Sequence, residues 1–124
     1  MLTPLPSSAA DLLIACLCAE WCGTCRDYQA PFEKMQAQFP GARFLWVDVE
    51  DESELVDPIT VENFPTLLIC RRDKALFFGT VTPHMETLQR LVRTQLAPDA
   101  PALPPEDARD GLAKRLWEQN SWKI

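Results

Sequence analysis

Leu12 to Ala19 is apolar at every position, which suits a central parallel strand buried on both faces. A helical stretch follows, opening around Cys22 and running to about Phe39, where Pro40-Gly41 ends it. Pro31 falls inside that helix, where a proline removes one backbone hydrogen bond and bends the axis. Arg43 to Val49 reads as a second strand lying parallel to the first. The three segments form a βαβ unit, whose crossover is right-handed in nearly all folds. Asp51 to Asp57 is expected to be a short helix capped by Ser53 and stopped by Pro58. Thr66 to Cys70 is a third apolar strand, Arg71-Arg72-Asp73-Lys74 a polar turn, and Leu76 to Val81 the returning strand of a hairpin. Residues 1–9 are rich in Pro and Ser and read as a lead-in with room for a short edge strand.

Thr82-Pro83 starts another helix, with a capping hydroxyl followed by proline at the first helical position. Met85, Leu88, Leu91, Val92 and Leu96 recur at helical spacing and give it a core-facing stripe. Ala97 to Pro105 holds four prolines and reads as a stiff linker. Glu106 to Gln119 is a last amphipathic helix with Ala108, Leu112 and Leu116 on one face. The chain thus divides into a domain at 1–97 and a linker plus helix at 98–124. That helix is expected to pack back onto the domain, with Trp117 and Trp122 covering apolar surface. The other use of such a stripe is to dock a partner.

The 124 residues fit one domain, and 47% hydrophobic with 24% charged residues is the profile of a soluble globular protein. A net charge of −6 gives no electrostatic support to binding nucleic acid or an anionic membrane. Leu13-Ile14-Ala15-Cys16 has the look of a lipoprotein cleavage box, yet Met1 to Asp11 contains no Lys or Arg. The apolar run is also too short to span a bilayer. A buried strand is therefore the expectation, and the cytoplasm the expected compartment.

Five cysteines are unevenly placed. Cys22-Gly23-Thr24-Cys25 lies between a buried strand and a helix start, whereas Cys16, Cys18 and Cys70 lie inside apolar runs and read as inert small hydrophobes. A C-x-x-C pair alone is also half a zinc site, but zinc needs four ligands and no second pair exists; the only histidine is His84. The acidic run Glu50-Asp51-Glu52 reads as a solvated helix start, without focused carboxylates for a cation. Redox chemistry has the better physical basis. Only the thiolate attacks a disulfide, and the unpaired N–H groups and dipole of a helix N-terminus favour a negative sulfur. Cys22 occupies that end and should be exposed. Cys25, one turn on, is closer to the core and placed to attack a mixed disulfide. Gly23 would let the chain turn tightly into the helix.

Ala19-Glu20-Trp21-Cys22-Gly23-Thr24-Cys25, Phe64-Pro65-Thr66 and Gly79, in this order, resemble the thioredoxin family from about Ala10 to Ala97. The resemblance implies a thioredoxin-like α/β fold, with a mixed central sheet flanked by helices, a truncated N-terminus and a C-terminal helical extension. It implies that Cys22 attacks, that Cys25 resolves, and that the two form the redox-active disulfide. Trp21, Gly23, Thr24, Phe64, Pro65, Gly79 and Thr80 would line a shallow substrate groove beside a cis-proline. The backbone of Phe64 would pair there with an extended substrate.

Five departures stand out, one being that the first strand and helix of a full thioredoxin are mostly absent. Thr24 replaces the usual proline, and Pro31 arrives one residue later than is common. Cys16 occupies the place of the buried acid six residues before the first active cysteine, and Trp46 that of its lysine partner. Losing the acid bears on how Cys25 sheds its proton.

The expected function is thiol-disulfide oxidoreductase, reducing disulfides in protein partners as a monomer, with no bound cofactor and no metal. A flavin-containing thioredoxin reductase would recharge it. The alternatives are a redox-inactive adaptor on the same fold, or a disulfide donor in an oxidising compartment.

Overall fold

A computed structural model describes residues 12–19, 21–39, 41–57, 59, 61, 64–72, 74–82, 84–96 and 101–118. The lead-in at 1–9, Pro40, Pro58, Pro83 and Trp122 lie outside them. In chain order the elements are β1 (Leu12–Cys18), α1 (Gly23–Gln38), β2 (Arg43–Asp48), α2 (Ser53–Val56), β3 (Thr66–Arg71), β4 (Lys74–Thr80), α3 (Met85–Leu96) and α4 (Asp107–Glu118). The sheet order is β2-β1-β3-β4. β1 runs parallel to β2, with Leu13 opposite Arg43 and Cys18 opposite Asp48. β3 is antiparallel to both β1 and β4.

Because β1 is central, its alternate residues feed two cores. Leu12, Ile14, Cys16 and Cys18 face Cys25, Tyr28, Phe32 and Met35 of α1 together with Leu88 and Val92 of α3. Leu13, Ala15 and Leu17 face the other way, with Leu45, Val47, Leu68 and Cys70, against Leu112, Ala113 and Leu116 of α4. The last helix therefore packs back onto its own sheet. Arg115 donates to the Asp57 carbonyl at 2.9 Å, and Arg43 donates to the Trp117 carbonyl at 2.9 Å. The Arg43 guanidinium also lies 4.7 Å from the centroid of the Trp117 ring.

Several local expectations change. Ser53 does not cap α2: Glu52 holds the cap position without a side-chain bond. Chain reversal after β2 instead uses the Asp48 carboxylate, which accepts from the backbone N–H of Glu50 at 2.9 Å and of Asp51 at 3.0 Å. Arg71 and Lys74 pair within the ladder, so the hairpin loop is tighter than the four-residue turn, and Arg72 takes φ 55° to close it. The linker is tied to the sheet by Leu103, whose N–H bonds the Ala75 carbonyl at 2.8 Å. The Thr82 hydroxyl meets the Thr87 hydroxyl at 3.2 Å.

Candidate functional site

β1 ends at Cys18, and four residues later the chain enters α1 with Cys22 at the cap position, φ −84° and ψ 119°. The Cys22 N–H bonds the Ala19 carbonyl at 3.0 Å, closing a turn that sets the helix start beside the strand end. No acidic residue lies in the first turn of α1. Cys22 is half-buried and its thiol is free. Cys25 is 1% exposed. Gly23 is solvent-exposed, an added Cβ would meet only Arg26 at 3.8 Å, and its φ is not positive. The turn into α1 thus does not require a glycine.

The sulfur of Cys25 is not bonded to Cys22. It is disulfide-bonded to Cys18, with Cα atoms 5.7 Å apart. That spacing lies inside the usual disulfide range of about 4.4–6.8 Å. Cys18 shares the strand face of Cys16, which α1 covers, and the first turn of α1 carries Cys25 inward onto that face. Expecting Cys18 to be an inert hydrophobe overlooked this convergence. The Cys16 sulfur is 3.4 Å from that of Cys18, so three sulfurs form a buried row behind Cys22.

The remaining groove candidates sit at the strand ends beside the helix start. Trp21 is 62% exposed and meets the edge of Phe64, ring centroids 5.6 Å apart. The Phe64–Pro65 peptide bond is cis. Pro65 is buried, and its carbonyl accepts from Val81 N–H at 3.1 Å. Gly79 and Thr80 lie opposite Leu67 and Thr66, and the Thr66 and Thr80 hydroxyls are 3.5 Å apart. Thr24 is half-buried on α1. Trp21 and Phe64 thus come together, while Gly79 and Thr80 approach through the strand that follows Pro65.

Behind Cys25 a cavity of about 320 Å³ is lined by Ala19, Cys25, Arg26, Gln29, Trp46 and Asp48. Asp48 is a carboxylate that sequence reasoning missed. Its signal was the parallel register, which sets it opposite Cys18 just as Trp46 stands opposite Cys16. Among the described residues no group of three or more His, Cys, Asp or Glu could hold a metal ion. No described helix is long and apolar enough to cross a membrane.

Burial pushes the Cys16 thiol far up. Burial, and then the Cys16 charge, push the Tyr28 phenol up as well. The Tyr28 hydroxyl has no hydrogen-bond partner among the described residues. Both groups hold their protons more tightly folded than unfolded. Their stabilising effect is therefore complete below the unfolded pKa values, about 8.5 for Cys and 10 for Tyr, and declines above them toward the raised folded values. Stability should fall by about 1.4 kcal/mol per pH unit for each group in that window. Urea unfolding of the native chain and of Cys16→Ala between about pH 8 and pH 11 checks this, the variant being expected to show the shallower early decline. Identical slopes for the two would contradict it.

The thioredoxin family profile matches residues 5–93. A thioredoxin H-type protein of Oryza sativa subsp. indica is 38% identical over 63 residues, which cover 51% of this chain and 52% of that protein. A thioredoxin of Chlamydia trachomatis is 29% identical over 86 residues, covering 69% of this chain and 84% of the relative. The chain spans about half the length of several curated relatives it matches, between 44% and 52% for the first four. Among solved structures, thioredoxin from Trypanosoma brucei brucei superposes with a TM-score of 0.60 at 32% identity, covering 69% of this chain and 75% of its own. Fasciola hepatica thioredoxin superposes with a TM-score of 0.64 at 21% identity, covering 72% and 85%. The strand-to-helix cysteine turn, the Phe64–Pro65 segment facing the mixed sheet, and a family match over most of its length agree: this chain belongs to the thioredoxin family.

Proposed function

We propose that the chain is a thiol-disulfide oxidoreductase that reduces disulfides in protein partners, entering through Cys22 and resolving through Cys25. The observation that carries this reading is the placement of Cys22. It is a free, half-buried thiol at the cap of α1, one residue from exposed Trp21, with Cys25 one turn deeper. Cys22 at the cap and Cys25 at the third helical position lie one turn apart on the same side of α1.

The Cys22 thiolate attacks a partner disulfide, forms a mixed disulfide and expels one partner thiolate. Cys25 then loses its proton and attacks the Cys22 sulfur, releasing the second partner thiolate. The Trp21–Phe64 pair offers an apolar footing for the partner, and the Phe64 backbone an edge for an extended segment. Gly23, Thr24, Pro65, Gly79 and Thr80 complete the groove in this reading. The disulfide is itself the redox group, and a thioredoxin reductase is the fitting source of electrons. A monomer in the cytoplasm, where thiols are kept reduced, suits the free Cys16 and Cys70.

Insulin reduction driven by dithiothreitol tests the assignment. The native chain should precipitate insulin well ahead of dithiothreitol alone, and Cys22→Ser should fall back to the dithiothreitol rate. A native chain with no turnover above that background would leave a binding module on this fold as the better account.

A further inference from the structure

We infer that Cys18 is a third redox-active cysteine, which takes the Cys25 sulfur from Cys22 and holds the disulfide inside the protein. The inference deepens the Cys22/Cys25 exchange proposed above, and rests on it for the way oxidation enters. Three observations converge on it. Cys25 is bonded to Cys18 while Cys22 carries a free thiol. Cys18 and Cys25 are each 1% exposed, whereas Cys22 is half-buried and borders exposed Trp21. Cys16 stands 3.4 Å behind Cys18 as a buried thiol able to donate to its sulfur.

The step is a disulfide isomerisation and balances without an added oxidant. A partner disulfide is reduced as described, leaving the Cys22–Cys25 bond and two partner thiols. The Cys18 thiol gives up its proton and attacks the Cys25 sulfur. The Cys22–Cys25 bond breaks, the Cys18–Cys25 bond forms, and Cys22 leaves as a thiolate that takes up a proton. One disulfide is exchanged for another, and no electron enters or leaves.

Access makes the two isomers chemically different. An external thiol reaches Cys22 and reduces the Cys22–Cys25 bond directly. Cys18 and Cys25 are each 1% exposed, and a thiol the size of glutathione has little approach to either sulfur of their bond, because exchange requires attack along the line of the bond on an accessible sulfur. The buried disulfide is discharged by the reverse step, in which Cys22 attacks Cys25 and Cys18 leaves. Cys22 is then both the entrance for the partner and the key that reopens the stored disulfide.

Glu20 makes the pairing directly readable. It separates Cys16 and Cys18 from Cys22 and Cys25, and Glu33 is the next glutamate. The native chain is reduced, treated with one equivalent of bis(2-hydroxyethyl) disulfide, acid-quenched, unfolded, alkylated with N-ethylmaleimide at mildly acidic pH so that buried thiols are capped, and cleaved after glutamate. A Cys18–Cys25 bond keeps fragments 1–20 and 21–33 joined with Cys22 alkylated; a Cys22–Cys25 bond lets them part. The expected product is the joined pair in monomeric protein, with fragmentation assigning Cys18. Separated fragments, or joining through Cys16, would overturn the inference.

Cys22→Ser, unfolded, oxidised and refolded so that the Cys18–Cys25 bond forms without the Cys22 entrance, should be discharged by glutathione at least about tenfold more slowly than the native chain. Equal rates would show the buried bond to be openly accessible and would also overturn it. Insulin reduction by the native chain keeps the two readings apart. Joined fragments without insulin turnover remove the partner reaction and leave the pairing. Turnover with separated fragments removes the role of Cys18 alone.

Discussion

A chain ending at Ala97 is expected to lose its cooperative thermal transition. The reason lies in the second face of the sheet. Leu13, Ala15, Leu17, Leu45, Val47, Leu68 and Cys70 are each no more than 1% exposed, and the described residues packed against them come chiefly from α4, with Leu112, Ala113 and Leu116 at 0%. Burying one leucine is worth about 1.5–3 kcal/mol, and truncation uncovers both the helix stripe and the strand residues beneath it. A domain of this size has about 5–15 kcal/mol to lose.

The linker adds its own ties. Leu103 continues the bonding of β4 through Ala75, and Arg115 fastens α4 to the end of α2. Single substitutions grade the effect: Leu112→Ala and Leu116→Ala should each cost about 2–5 kcal/mol, measured by urea unfolding. A fragment 1–97 that melts as sharply as the full chain, with both leucine variants near neutral, would show that α4 is a passenger. Insulin reduction by the two leucine variants in mild conditions should remain near native, since neither side chain lies in the core that holds Cys25.

The elements were legible wherever local pattern decides structure. Uninterrupted apolar residues in β1 announce a strand buried on both sides, and the Leu112–Leu116 spacing announces a helix that must be covered. The Trp21-Cys22 turn and the Phe64-Pro65 segment were legible by resemblance to a family. The rest depended on register. Cys18 shows the same local pattern as Leu12 and Ile14, and only the length of chain between β1 and the first turn of α1 decides that Cys25 returns to meet it. Asp48 reads as a strand-end acid until the parallel pairing sets it opposite Cys18, in the wall of the cavity behind Cys25. Gly23 misled in the other direction, because its backbone is one that any residue can adopt.

Cys16→Asp, which puts a carboxyl at the place where the resemblance in sequence leads one to be expected, is expected to destabilise the fold severely at neutral pH. Cys16 is 0% exposed, and its ladder neighbours are Trp46 on β2 and Leu67 on β3, neither of which carries charge. A carboxylate there loses its hydration without a cation in return, so burial must raise its pKa above the ordinary value of about 3.9. For a fully buried group that rise reaches about 3–5 units, or roughly 4–7 kcal/mol against the ionised form. A raised folded pKa places the stabilising side of the transition at low pH. The variant should therefore lose little beyond the cost of an unpaired neutral acid near pH 4, about 1–3 kcal/mol, and progressively more as pH rises through the folded value.

Trp46→Lys on the same background supplies a cation on the neighbouring strand but gives up the Trp46 contact with Phe32, so it should narrow the gap between the pH 4 and pH 7 stabilities while lowering both. Urea unfolding of the three proteins at both pH values decides the matter. A Cys16→Asp chain equally stable at pH 4 and pH 7 would mean that the row behind Cys22 is wetter than its burial indicates. The native arrangement of thiol against indole would then not be what keeps charge out of the site. The same variant carries a kinetic reading. In the proposed cycle the Cys25 proton would leave toward the cavity that Asp48 lines or to water, whereas an aspartate at 16 is a base set beside the sulfur row. In stopped-flow with a small disulfide, confined to the pH range over which urea unfolding shows Cys16→Asp still folded, the resolving step should quicken as the carboxylate begins to ionise, while attack by Cys22 changes little.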